Sequence, residues 1–130
     1  MCDVLQLILL LIIMCSNSVY ALASLFLPIV FDDKAVPGFW VGMVFSMYSI
    51  MVVVMSPIIG KIVSRVGFAN LIAFGLICMG ISIIPIGYLV EIENDYYTIA
   101  LGIVLRALQG AASSSINTSC YSLAANKYKD

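Results

Sequence analysis

Histidine is absent from this sequence and charge is scarce: six Lys and Arg and seven Asp and Glu among 130 residues, with a formal net charge of −1. Without histidine, a metal-ligand cluster or paired carboxylates in the apolar runs, nothing is equipped for general acid–base or metal chemistry. No enzyme activity and no cofactor are expected. The near-neutral balance leaves no basic face for nucleic acid. The four cysteines (Cys2, Cys15, Cys78, Cys120) lack CxxC or other ligand spacing. Three of them lie within or beside apolar runs, where a free thiol behaves as a small apolar residue. Neither a disulfide framework nor a metal site is expected. A soluble domain has about a quarter of its residues charged, whereas here 10% are charged and 63% hydrophobic. Water would not tolerate that surface; hydrocarbon would.

What the chain does have is four long runs nearly free of charge. Val4 to Phe31 is 28 residues, Ala35 to Gly60 is 26 and Val66 to Val90 is 25; Tyr96 to Asn126 is 31, interrupted only by Arg106. About 20 apolar residues span a bilayer at roughly 1.5 Å each, so every run is long enough, with some excess for tilt. The runs lack the alternation that a membrane barrel needs. The expected fold is therefore an all-α membrane bundle of four helices, over about 5–30, 37–63, 68–90 and 96–125. Lys61, Arg65, Lys127 and Lys129 fall in connectors on one side. Lys34 stands on the other with Asp32, Asp33, Glu91, Glu93 and Asp95. The positive-inside rule then puts the N-terminus in the cytoplasm. Ala21-Leu22-Ala23 looks like a signal-peptide cleavage site, but the start of the chain lacks a basic segment and the apolar run continues to Phe31, so a membrane helix is the reading taken.

Two segments carry more than topology. Gly60-Lys61-Ile62-Val63-Ser64-Arg65-Val66-Gly67 reads as a short basic turn between the second and third helices. Its terminal glycines permit a tight reversal and close approach of backbones. Pro57, one turn earlier, lacks an N–H donor and is expected to loosen the end of the second helix. The second segment runs from Arg106 through Gln109 to Ser114. Arg106 lies ten residues past Tyr96, roughly 15 Å into the bilayer. A charge there costs about 2.5 kcal/mol or more and normally faces protein or water. Gln109 shares its face. Ala107, Ala111, Ser115 and Ser119 recur at fourfold spacing beside Gly110, Ser114, Thr118 and Ser122, a stripe suited to close helix packing. We read the stripe (Gly110, Ala111, Ser114, Ser115) as packing and Arg106 with Gln109 as functional.

The first helix is polar near its middle, at Ser16, Asn17 and Ser18, with Ser24 further out. Asn17 either hydrogen-bonds across helices, the commoner role, or lines a solute cavity near the midplane. It is carried forward with Ser24 as a cavity-facing candidate. Gly38 and Gly42 form a GxxxG match of little weight alone. Trp40, Phe39, Tyr96 and Tyr97 sit where interfacial aromatic anchors belong. The sequon at Asn117 lies deep within the fourth run and reads as accidental.

These two segments, in this order and on these helices, resemble the major facilitator superfamily. Gly60 to Gly67 is similar to its loop signature G-x-L-a-D-R-x-G-R between the second and third helices. Arg106-Ala107-Leu108-Gln109-Gly110 is similar to its fourth-helix signature R-x-x-Q-G. The resemblance spans the chain but only the first four of the family's usual twelve helices, so the chain is expected to be the N-terminal part of a longer transporter. Leu27-Pro28-Ile29-Val30 suggests the drug and vesicular-amine branch. The resemblance implies that Gly60, Arg65 and Gly67 help control an inner gate. It also implies that Arg106 faces the central cavity and takes part in proton coupling. Ser64 stands where the family has an acid, and Phe68 where it has a base, which excludes a salt-bridge latch at position 64. The first helix lacks the acid that amine carriers use, so an amine solute is not expected.

The function expected is secondary active transport of a small solute, ion- or proton-coupled, by alternating access. Its partners would be the bilayer, the solute, and further helices or neighbouring membrane subunits. The alternative is a non-transporting four-helix subunit derived from a transporter, favoured by the missing acid at Ser64. A small four-helix drug exporter fails, since no membrane-embedded Glu is present in the first helix.

Overall fold

The computed structural model describes residues 2–129 apart from the side chain of Cys2. Four helices follow one another: α1 (Cys2–Asp33), α2 (Gly38–Val66), α3 (Phe68–Tyr88) and α4 (Asp95–Lys127). Each is long and apolar enough to cross a membrane, and the protein is an all-α integral membrane protein. Most of the helices run a few residues past the apolar runs, because the backbone ladder continues where side chains turn polar at the headgroups. Leu25 and Val53, 70% and 72% exposed, belong to an apolar outer surface that lipid covers.

The connectors set the alternation. The α1–α2 turn is closed by Ala35 N–H donating to the Asp32 carbonyl and Val36 N–H to that of Phe31, both at 3.0 Å. Lys34 Nζ donates to the Ile92 carbonyl in the α3–α4 loop, so both connectors lie at one end of the bundle. The α2–α3 reversal belongs to the opposite end and consists of one residue. Here the sequence reading is corrected: Gly60 to Val66 is helical, and only Gly67 breaks the ladder. Its φ of 93° and ψ of 147° suit glycine almost alone. A Cβ on Gly60 or Gly67 would meet nothing within 4 Å, so neither glycine serves a close backbone approach. Pro57 likewise lies inside α2 and does not end it.

α4 occupies the centre, packing closely against α2 and α3 and more loosely against α1. It is the least apolar span and the most buried, with 56% of its most apolar stretch covered against 11% in α2. In water the polar helix would face out; in lipid it is the one that the others must enclose. Glycines make that enclosure tight. A Cβ on Gly110 would sit 2.5 Å from the Tyr48 carbonyl oxygen of α2, and one on Gly75 of α3 would sit 2.9 Å from the Ala112 carbonyl oxygen of α4. Gly38 and Gly42 face open space, so the GxxxG match packs nothing among these four helices. One apolar cluster, including Leu27, Phe31, Val44, Leu89 and Leu105, gathers at the Lys34 end. A second, including Leu9, Met79, Ala112 and Ile116, fills the other half.

These contacts separate two glycines of one sequence type. Gly110→Ala forces α2 and α4 apart against backbone and is expected to cost about 1–3 kcal/mol. Gly42→Ala gains helix propensity in open space and is expected to be neutral or stabilising by up to about 1 kcal/mol. Heat or denaturant unfolding of the two variants in micelles compares them; equal destabilisation would refute the close α2–α4 approach.

Candidate functional site

Between the two apolar clusters α4 carries a polar face. Arg106, Gln109, Ser113 and Asn117 follow at intervals of three, four and four, which keeps them on one side of the helix. Arg106 lies eleven residues past Asp95, the first residue of α4, roughly 16 Å along a helix in a bilayer core of about 30 Å. Arg106 is 0% exposed and Gln109 1%.

The guanidinium is held by three helices. Arg106 Nη1 donates to Gln109 Oε1 at 3.3 Å, and Nη2 donates to Ser24 Oγ of α1 at 3.4 Å. Ser24 is oriented for this, since its own hydroxyl donates to the Tyr20 carbonyl at 2.8 Å. That bond leaves the Ser24 oxygen free to accept. The Arg106 Cζ lies 5.4 Å from the Tyr20 ring centroid and 4.9 Å from that of Phe45 on α2. Both distances are within cation–π range. Tyr20 in turn stacks on Tyr48 with centroids 4.3 Å apart.

One turn and more along α4 the network becomes neutral. Tyr48 Oη donates to Ser113 Oγ at 2.9 Å, Asn117 Nδ2 donates to the same oxygen at 3.3 Å, and Ser56 and Ser114 share a hydrogen bond of 3.0 Å. Gly110 and Ser114 therefore meet α2. Ser115 is buried and donates to the carbonyl of Ala111, which is half-buried.

Some candidates are brought together and others are not. Ser24, Arg106 and Gln109 converge. Asn17 is exposed and is not among the groups that Arg106 reaches; it lies two turns from Ser24 on the same face of α1. Arg65 is exposed on the last turn of α2, near the Gly67 break, while Gly60 is exposed two turns earlier. Ser64 donates only to the Lys61 carbonyl at 3.1 Å. Sequence reasoning missed Tyr20, Phe45 and Tyr48. The signal for Tyr20 was present, since Asn17, Tyr20 and Ser24 recur at helical spacing on α1; for Phe45 and Tyr48 an aromatic within an apolar run carries no such mark.

Chemically the site is a cationic, donor-rich layer walled by aromatic faces. Four buried polar atoms on α4 lack partners: Arg106 Nε, Gln109 Nε2, Asn117 Oδ1 and Ser119 Oγ. No acid stands in any of the four apolar runs. The aromatic wall is separable from the hydroxyl it carries. Tyr20→Phe preserves the face and is expected to leave stability within about 0.5 kcal/mol. Tyr20→Leu is expected to lose about 0.5–2 kcal/mol. Thermal unfolding reads both, and equal losses would remove the cation–π contribution.

Comparison with protein families matches the chain, over residues 8–130, to the model described as Major Facilitator Superfamily, without specifying a branch. No curated protein and no solved structure matches it.

Proposed function

The chain belongs to the Major Facilitator Superfamily, a family of transporters, and on that premise we propose that it forms the first four helices of a secondary transporter. It moves a small solute by alternating access, with ion or proton coupling, and the Arg106 layer is the solute and coupling site. The observation that carries this reading is a fully buried guanidinium roughly 16 Å along a membrane-spanning helix, with no carboxylate in the four apolar runs to neutralise it. A residue placed only for packing would be replaced without loss by an apolar side chain, because a buried charge lacking a counter-charge is costly. Transporters built from rocking helical bundles bind at this depth.

Arginine does not deprotonate in proteins, so Arg106 acts in coupling as a fixed charge. It sets the affinity of whatever mobile charge enters the layer. The proton itself travels on the solute or on a group outside the four apolar runs, since no acid lies within them.

Uptake into proteoliposomes by the full gene product tests the site. Arg106→Lys keeps the charge and loses the planar fork; it is expected to reduce coupled uptake about tenfold, and Arg106→Ala to abolish it, with both proteins still reaching the membrane. A fully active Ala variant would return Arg106 to packing and favour the subunit reading that Ser64 suggests.

Orientation is proposed as N-terminus inside, on the four-to-one excess of basic residues at the Gly67 end of the bundle. Single cysteines at Asp32 or Glu93, in a background lacking the native thiols, should react with an impermeant reagent from the non-cytoplasmic side, and one at Ser64 should not. The reverse pattern would invert the topology.

A further inference from the structure

We propose that the Arg106–Gln109 layer binds the oxyanion group, carboxylate or phosphate, of an anionic solute. The inference rests on the transport reading above and names the class of what is carried.

Hydrogen-bond inventory is the first ground. A guanidinium has five N–H donors, and only two are engaged here, at 3.3 and 3.4 Å to neutral oxygens. Both distances exceed the usual 2.7–3.2 Å range for N–H to oxygen. Arg106 Nε and Gln109 Nε2 have no partner at all, and both are donors on residues that are no more than 1% exposed. What the layer lacks is an acceptor, and one bearing negative charge would satisfy several donors at once. The planar fork of arginine matches the two oxygens of a carboxylate or phosphate.

Charge is the second ground. The acids of this chain are Asp3, Asp32, Asp33, Glu91, Glu93, Asp95 and Asp130, all outside the apolar runs. Asp95 is eleven residues from Arg106 on the same helix, roughly 16 Å away. Asp32 is eight residues from Ser24, roughly 12 Å along α1. No side chain of these helices can therefore supply the missing negative charge. A cationic solute would meet repulsion from Arg106 and find the Tyr20 and Phe45 faces already occupied by the guanidinium.

Access is the third. The layer is closed in this arrangement, with Arg106 fully buried, and an anion would enter as the Tyr20–Tyr48 stack parts. That stack joins α1 to α2, the two helices most weakly packed against each other, so it can open without breaking the α2–α4 contact at Gly110.

The test is ligand-dependent thermal unfolding of the full gene product in lipid nanodiscs at matched ionic strength. The probes are benzoate, inorganic phosphate, benzamide and benzylamine. Benzoate or phosphate is expected to raise the unfolding midpoint saturably by two degrees or more, the responding probe identifying the oxyanion. Benzamide and benzylamine are expected to leave the midpoint unchanged. Gln109→Glu places a carboxylate beside Arg106, so it should unfold at or above the wild-type temperature and lose the anion response. Arg106→Gln should lose it as well. A response to benzamide or benzylamine equal to that of benzoate, no response to either anion, or a full anion response in Gln109→Glu would each overturn the proposal. Uptake measured beside it keeps the two readings apart. Transport of a neutral solute without an anion shift would sink this inference alone, while an anion shift without any uptake would sink the transport reading alone.

Discussion

A guanidinium within a membrane-spanning helix has to be enclosed, and the arrangement of the other three helices follows from that requirement. Left facing lipid, Arg106 would cost about 2.5–3.5 kcal/mol on insertion scales and more by other measures. Aromatic faces worth about 0.5–2 kcal/mol each and two long hydrogen bonds offset part of this. The remainder is avoided only if the face of α4 that carries Arg106 is turned from lipid, as it is here, with Val104 and Leu108 on the exposed side of the same helix. α4 therefore stands at the centre, where its own Gly110 admits α2 and Gly75 of α3 admits that helix at the Ala112 carbonyl, closely enough to seal it. The stripe and the charge are two halves of one solution: without the stripe the helices could not approach, and without the charge the approach would have less to protect.

The same constraint explains which features were legible in the sequence. Lipid demands long uncharged runs and internally satisfied backbones, so the number and rough extent of the helices could be read directly. The Arg106–Gln109 pair was legible because it depends on one helix and a spacing of three. Its partners on α1 and α2 were not, because Tyr20 and Phe45 acquire their role from how helices rotate against each other. Apolar periodicity cannot report that rotation when every face is apolar. For the same reason the sequence could not choose between the two polar candidates of α1: the structure leaves Asn17 exposed, while Ser24, two turns away on the same face, reaches the guanidinium.

Glycine gave the least reliable signal, and the reason is geometric. Gly42, Gly60, Gly67 and Gly110 are alike as letters, but a glycine matters only through what its missing Cβ would touch or through a backbone angle. Gly110 is required by a neighbour, Gly67 by its φ of 93°, and Gly42 and Gly60 by neither. The turn expected across eight residues is accordingly a single residue, and α2 keeps its ladder to Val66 through Pro57. The exposed side of these helices tolerates such residues because none of the other three packs there.

The polar layer lies between two apolar clusters that differ in closure. At the Lys34 end, Leu27, Phe31, Val44 and Leu89 are at most 1% exposed, and the Lys34–Ile92 hydrogen bond ties the two connectors together. At the other end a groove lined by Leu5, Leu9, Ile13 and Cys120 runs along the α1–α4 contact, bridged by Tyr128 donating to Gln6 at 2.7 Å. A rigid-body tilt of α1 would accordingly pivot near the Lys34 end and open the groove end, carrying Tyr20 and Ser24 away from Arg106 as it went. Such a motion would remove a hydrogen bond and an aromatic face from the guanidinium together. The charge would then be left short of partners at the moment the layer opens, which ties opening to the arrival of a new acceptor.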